Sequence, residues 1–355
     1  MKKLVVFGLL LTLVYACQKS GEVKPEVLKF LGFEKPIHFP EPIYAFESNP
    51  ITEAGFELGK RLFHDPLLSR NNTIACASCH IQTASFTHHG HDVSHGIDDL
   101  VGIRNSIPIM NLAWSKEFFW DGGVFNLDLV SVVPIENPVE MDEKMPNVIK
   151  KLQATSHYAE LFKKAFGTAD ITSARLSQAL SQFMLMAVSD NSKYDQVMRG
   201  EQGVTFTEEE KRGYIFFKDK CSACHTEPLF TDRQMHDNGL GPNLAGDVGR
   251  YAITLNPKDK YKFKVPSLRN LAYSAPYMHD GSIYTLSAVL DHYRFQVLPT
   301  ENLDPILKQS DGTRGITMTE QNKVDLLAFL ATLNDASFVK NELLSGPTAV
   351  GFNLN

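Results

Sequence analysis

The stretch "CASCH", residues 76–80, sets two thiols one helical turn apart with an imidazole directly behind the second, and it returns almost unchanged as "CSACH" at 221–225. A chain that builds one device twice is expected to hold two copies of one cofactor. The sequence has five cysteines, and apart from Cys17 they fall wholly into these two pairs. Redox disulfides, a four-thiolate zinc site and covalent c-type haem compete for such pairs. A redox pair needs no histidine behind it, and structural zinc pairs lie much closer together in sequence than these do. Covalent haem alone accounts for the histidines. Cysteines at i and i+3 of a short helix share one face and add to the two haem vinyl groups, and the next imidazole then meets the iron. Cys76, Cys79, Cys221 and Cys224 are thus expected to carry two haems, with His80 and His225 as proximal iron ligands.

The flanks of the two motifs echo each other. "GKRLFHDP" precedes the first and "GYIFFKDK" the second, while Phe86-Thr87 and Phe230-Thr231 follow the two histidines. This suggests duplication of a cytochrome c unit. Apolar residues recur with helical period over 54–63, 173–186 and 323–333, and strand-like alternation is scarce. Thr207 and Glu210 form a capping-box signal for the helix leading into Cys221, and Asp65-Pro66 closes the helix leading toward Cys76. The expected fold is mainly α, with two cytochrome c-like domains that each carry one covalent haem. Their expected bounds are 51–200 and 201–340, divided near the polar, glycine-containing run at 192–203. A proline-rich tether or surface-hugging arm fills 17–50, and a C-terminal tail 341–355.

With 355 residues, 43% of them apolar and 21% charged, the chain is long enough to bury a sizeable core. A net charge of -6 and the lack of a long Lys/Arg run remove the electrostatic case for a nucleic-acid partner. Lys2 and Lys3, an apolar run from Leu4 to Ala16 and a polar continuation form an export signal over 1–16. The run is short for a membrane span. Cys17, just after a small residue, resembles the acylated cysteine of bacterial lipoproteins, so the mature protein is expected on the periplasmic side, anchored to a membrane by lipid on Cys17. Plain secretion is the alternative.

The segment "NSIPIMNLAWSKEFFWDGGVFNLDLVSVVPIENPVEM" (105–141) carries a resemblance. Its "FWDG" and "NPVEM", with "FKVPSLRN" and "PYMHDG" further on, stand in the order and approximate spacing of the bacterial di-haem cytochrome c peroxidases and the related MauG proteins. The likeness runs from about Gly55 to Leu333. It implies that the N-terminal haem meets peroxide and the C-terminal haem stores and relays an electron. Glu140 matches the family's acid/base residue, Trp120 the tryptophan between the haems, and Pro134 a residue shaping the distal pocket. Taken alone, Glu140 reads as an exposed glutamate near a turn and Trp120 as core. Val130 and Gly123 depart from the glutamine and arginine that the peroxidases place there.

The resemblance also implies a distal ligand on the second haem, methionine in the peroxidases and tyrosine in MauG. Tyr293 occupies that position here. A phenolate is a hard donor favouring ferric and higher oxidation states, where a thioether favours ferrous iron. If Tyr293 is only a core residue, Met278 or Met318 remains for the iron. The loop "FTHHGHDVSHG" offers His95 as a removable sixth ligand on the first haem, against the reading of an exposed polar loop. One calcium ion between the haem domains would take Asn105, with carbonyls of Ser274 and Pro276, and His279 would order the second pocket. The expected activity is reduction of hydrogen peroxide with electrons from a small donor, a cytochrome c or a copper protein. A MauG-like oxidase acting on a protein or small molecule and a non-catalytic di-haem electron carrier are the alternatives. The family often forms homodimers.

Overall fold

The computed structural model describes residues 30–346; the expected export signal, the expected lipid attachment at Cys17, the first part of the arm and the end of the tail lie outside the described residues. By its contacts the chain divides into Met1–Phe30 and a second unit, Leu31–Asn355, which holds everything considered below. Its helices are α1 (Glu53–Phe63), α2 (Cys76–Cys79), α3 (Val132–Glu136), α4 (Met145–Gln153), α5 (Ser156–Phe166), α6 (Ser173–Leu185), α7 (Lys193–Met198), α8 (Glu208–Lys220), α9 (Tyr251–Thr254), α10 (Leu286–Asp291), α11 (Glu320–Ala331) and α12 (Ala336–Val339). Among the described residues, the strands are β1 (Met235–His236) and β2 (Phe263–Lys264), a short antiparallel pair. No described helix is long and apolar enough to cross a membrane.

Polar caps start the long helices. Thr52 accepts from the Gly55 amide ahead of α1, and Thr172 from Arg175 ahead of α6. Thr207 and Glu210 close the expected capping box on α8, with Thr207 N donating to Glu210 Oε2 at 2.7 Å. Thr319 and Asn322 do the same on α11. Such caps satisfy backbone N–H groups that have no partner inside the helix.

The duplication expected from the haem flanks extends through the packing. In the first half α1 crosses α6, and Phe63 meets Phe183 at a 4.8 Å ring separation. In the second half α8 crosses α11, and Phe217 meets Phe329 at 5.1 Å. Glycine explains both close approaches. A Cβ on Gly59 would lie 1.9 Å from the Ala179 carbonyl oxygen, and one on Gly213 lies equally close to that of Asp325. These glycines open the two echoed stretches, so their repetition is a packing requirement. Gly59→Ala or Gly213→Ala is expected to cost about 1–3 kcal/mol by overpacking, outweighing the roughly 1 kcal/mol that alanine gains in helix propensity. Urea unfolding of the single variants checks this.

Both ends of the described chain pack onto residues far away in sequence; Phe39 lies under the Arg269 guanidinium at 5.0 Å. In the arm, Phe39 packs against Trp114 at 5.0 Å, and His38 bonds Asp195, which together with Arg269 forms a fully buried ion pair. At the other end, where a tail was expected from 341, residues 336–346 fold back on the first half. Phe338 packs on Phe86 at 5.7 Å, and Gln82 donates to the Asn341 carbonyl at 2.7 Å.

Candidate functional site: two haem attachment sites and the wall between them

Each cysteine pair stands at a turn that still carries helical hydrogen bonding. His80 N donates to Cys76 O and His225 N to Cys221 O, both at 2.9 Å. The first pair forms α2, whereas the second is a turn running off the end of α8. None of the four thiols is joined to another, and burial pushes those of Cys76 and Cys221 up to about 12.

The "FT" echo has a direct physical reason. The imidazole Nδ1 of His80 lies 2.7 Å from the Phe86 carbonyl, and that of His225 lies 3.1 Å from the Phe230 carbonyl. A carbonyl can only accept, so each Nδ1 carries the proton and Nε2 keeps the lone pair that a metal needs. Both phenylalanines adopt positive φ, 58° and 55°, which turns their carbonyls back toward the histidines. Both side chains are fully buried, and their packing supports that conformation.

Around His225 lies a mainly apolar cavity with about 1580 Å³ of empty space, counting its open mouth. Cys221, Cys224, Tyr293, Met278 and Met318 all line it. Tyr293 sits on a π-helical turn, residues 292–296, that continues α10. Such turns are rare and collect at functional sites. Burial pushes the Tyr293 phenol up to about 12, with Asn238 opposing. Met278 Sδ is 3.6 Å from Asn238 Nδ2, and Met318 is packed into the core with Phe217 and Phe329. The unpaired cysteines, the oriented histidines and the apolar walls suit a covalently held macrocycle.

A second internal repeat escapes the sequence reading. Asn111 matches Asn270, Trp120 matches His279 and Pro134 matches Tyr293, at a constant offset of 159 positions. The backbones agree. Asn111 and Asn270 both take positive φ ahead of short turns, and the bridge Phe118–Val124 recurs as Tyr277–Ile283. The signal was the shared "NLA" and "DG" at one spacing, masked by divergence between them. Trp120 and His279 meet on opposite sides of Asn105. Trp120 Nε1 donates to the Asn105 carbonyl at 2.8 Å, and the Asn105 amide donates to the His279 carbonyl at 2.8 Å. His279 stacks on Phe263 at 3.6 Å, and burial pushes its imidazole down to about 4. Trp120, Asn105, Ser274 and Pro276 all line the cavity of the second half. Three residues expected at a calcium ion thus line the same cavity as the expected relay tryptophan.

Glu140 is not an exposed glutamate. It follows α3, and its Oε1 accepts from Asn137 Nδ2 at 2.6 Å. Burial raises its carboxyl above the usual range. It is close enough to raise the Cys76 and Cys79 thiols electrostatically, which puts it near the first cysteine pair. The Pro134 carbonyl accepts from Met141 N at 3.2 Å, which holds the expected pocket proline against the Glu140 turn. His95 also lies there, but its ring is half exposed and bonds Asp99 at 2.7 Å, while its backbone carbonyl is the atom near Cys79 Sγ. The loop is not simply exposed. His88 is buried, bonds Ser106 Oγ at 2.9 Å, and is pushed down to about 4 by burial and by His91.

A mainly helical chain with two such attachment sites is a di-haem c-type protein. The family model described as "Di-haem cytochrome c peroxidase" matches residues 53–203. Over 310 residues the chain is 36% identical to a "Methylamine utilization protein MauG" of Methylorubrum extorquens, covering 85% of this chain and 83% of that protein. It is 32% identical over 329 residues to "Cytochrome c peroxidase Ccp" of Escherichia coli, covering 85% and 69%. A solved "MauG-like protein associated with microbial copper homeostasis" superposes with a TM-score of 0.79 at 32% identity, over 89% of this chain and 99% of that one. The chain belongs to the di-haem cytochrome c peroxidase and MauG family, and membership implies two haems c.

Proposed function

We propose that the protein reduces hydrogen peroxide to water at the N-terminal haem, with electrons from a small cytochrome c or copper protein relayed by the C-terminal haem. The observation carrying this reading is the pairing of Pro134 with Tyr293 at equivalent places in the two halves. The proline side chain has no donor atom to offer a metal, so on the first side no ligand from this position would compete with a small oxidant. Tyr293 lines the second cavity, and its phenolic oxygen would hold the second iron.

Cys76, Cys79 and His80 would hold one haem, and Cys221, Cys224, His225 and Tyr293 the other. When bound, the first supplies a redox-active iron for the peroxide oxygen. Glu140 takes the proton from the near peroxide oxygen and returns it to the far one, so that water departs instead of hydroxide. Asn137 holds the carboxylate by its Oε1. Trp120, held by its bond to Asn105 at the cavity of the second half, would stand between the two haems and aid electron passage. Asn105, with the carbonyls of Ser274 and Pro276, would hold calcium, and His95, now bonded to Asp99, would be the residue that holds the first iron at rest. Export through 1–16, acylation of Cys17 and assembly as a homodimer on the periplasmic side complete the proposal.

A MauG-like oxidase is the second reading, favoured by Tyr293 and by the 36% identity to MauG. It differs in the electron source: a protein or small-molecule substrate would replace the donor protein. Turnover of peroxide with reduced monohaem cytochrome c supports the peroxidase. A peroxide-oxidised state that persists with that donor present supports the oxidase. Electron paramagnetic resonance of the ferric protein tests both against a third possibility, a plain electron carrier. A high-spin signal, or one appearing on partial reduction, is expected; two low-spin signals indifferent to peroxide would leave only carriage. Mass spectrometry of native protein is expected to find two porphyrin adducts, one on each cysteine pair.

A further inference from the structure

Tyr194, at the start of α7, is buried, and its hydroxyl donates to Glu227 Oε1 at 2.5 Å. Tyr214, on α8 and half-buried, donates to the same oxygen at 2.8 Å. The two rings lie 6.3 Å apart. Neither the haem attachment nor the peroxide chemistry uses this group. Its position connects it to the second haem, because the Tyr194 ring packs edge-on against Phe230 at 4.8 Å and the Phe230 carbonyl is the acceptor for His225 Nδ1. An unbroken run of packed groups thus leads from the proximal ligand through Phe230 to Tyr194, Glu227 and Tyr214.

We infer that Tyr194 and Tyr214 form a redox-active pair that supplies electrons to the oxidised second haem, with Glu227 as their shared proton acceptor. A phenol is hard to oxidise while it keeps its proton, because the cation radical is a strong acid. A carboxylate already hydrogen-bonded to the phenol removes that obstacle. One electron passes from a tyrosine to the haem, the O–H bond breaks, its proton goes to Glu227, and a neutral phenoxyl radical remains. Both phenols are held protonated by burial and by Glu227, so each carries the proton that the step must move. Tyr194 is the inner member against Phe230. Tyr214 is the outer one, reachable by a one-electron reductant that restores it. Such a pair drains an oxidising equivalent from the second haem when no donor protein is present.

This inference rests on the proposed reaction with peroxide, which supplies the oxidant. The test is to mix the full di-haem protein with hydrogen peroxide, without donor, follow the haem absorption bands, and freeze samples for electron paramagnetic resonance. The expected result is an organic radical with tyrosyl hyperfine structure that collapses when the protein carries ring-deuterated tyrosine. The signal should be lost in the Tyr194→Phe, Tyr214→Phe double variant, and also in Glu227→Gln, which keeps both phenols but removes the base. Haem bands that respond to peroxide with no tyrosyl radical, or with the same radical in the double variant, would overturn the pair alone. Haem bands that do not respond overturn the peroxide reading and the pair with it. Circular dichroism confirms that each variant is folded.

Discussion

Glu140→Gln is expected to cut peroxide turnover by on the order of 100-fold or more, the typical scale for a lost general acid/base, while both haems remain attached. Glutamine keeps the size of the side chain and its bond to Asn137, but it can neither take the first peroxide proton nor deliver it to the leaving oxygen. The burial that raises the Glu140 carboxyl also sets the pH dependence. The base form must be present for peroxide to lose its first proton. Turnover should therefore fall on acidification at a pH above the ordinary glutamate value of about 4.3, and that limb should vanish in the variant. The sign for stability is opposite. A carboxyl with a raised folded pKa favours the fold below its unfolded pKa, and that contribution is lost as pH rises through the folded one. Steady-state peroxide assays across pH check both effects on activity; near-normal turnover in Glu140→Gln would remove the residue from the mechanism.

Tyr293→Met is expected to raise the potential of the second haem by on the order of 100 mV or more, within the roughly 0.8 V that axial ligands span. A thioether stabilises ferrous iron, and a buried phenolic oxygen stabilises ferric iron. Met278 and Met318 line the same cavity, so the rival ligands are near at hand. A spectroelectrochemical titration separates them. An unmoved potential in Tyr293→Met would mean that the ligand lies elsewhere, and a potential lowered in Met278→Leu or Met318→Leu would say where. The π-helical turn under Tyr293 gives the structural reason to expect the tyrosine, since the extra backbone residue re-aims the side chains around it.

The two results bear on one question, how a duplicated unit acquires two different irons. The proximal sides are built alike, with a histidine bonded to a positive-φ phenylalanine carbonyl in each half. The distal sides diverge at Pro134 and Tyr293. Under the proposed function, chemistry at one iron and storage at the other would follow from a single pair of positions, with Glu140 added on one side only.

What the sequence determined by itself was set by covalent and local chemistry. Cysteine spacing with a following histidine specifies thioether attachment without reference to the fold, because all the atoms involved lie within one turn. Helix periodicity and capping residues placed α1, α6, α8 and α11 to within a few residues for the same reason. Tertiary structure decided what depends on groups far apart in the chain. Gly59 and Gly213 matter through carbonyls on α6 and α11, and Phe86 and Phe230 through carbonyls aimed back at histidines. The burial that moves Glu140 and the folding of 336–346 onto the first half have no local signature. Neither has the meeting of two tyrosines on Glu227. Long-range packing fixes which side chains lose water and which partners they find, and no short stretch of sequence contains both members of such a pair.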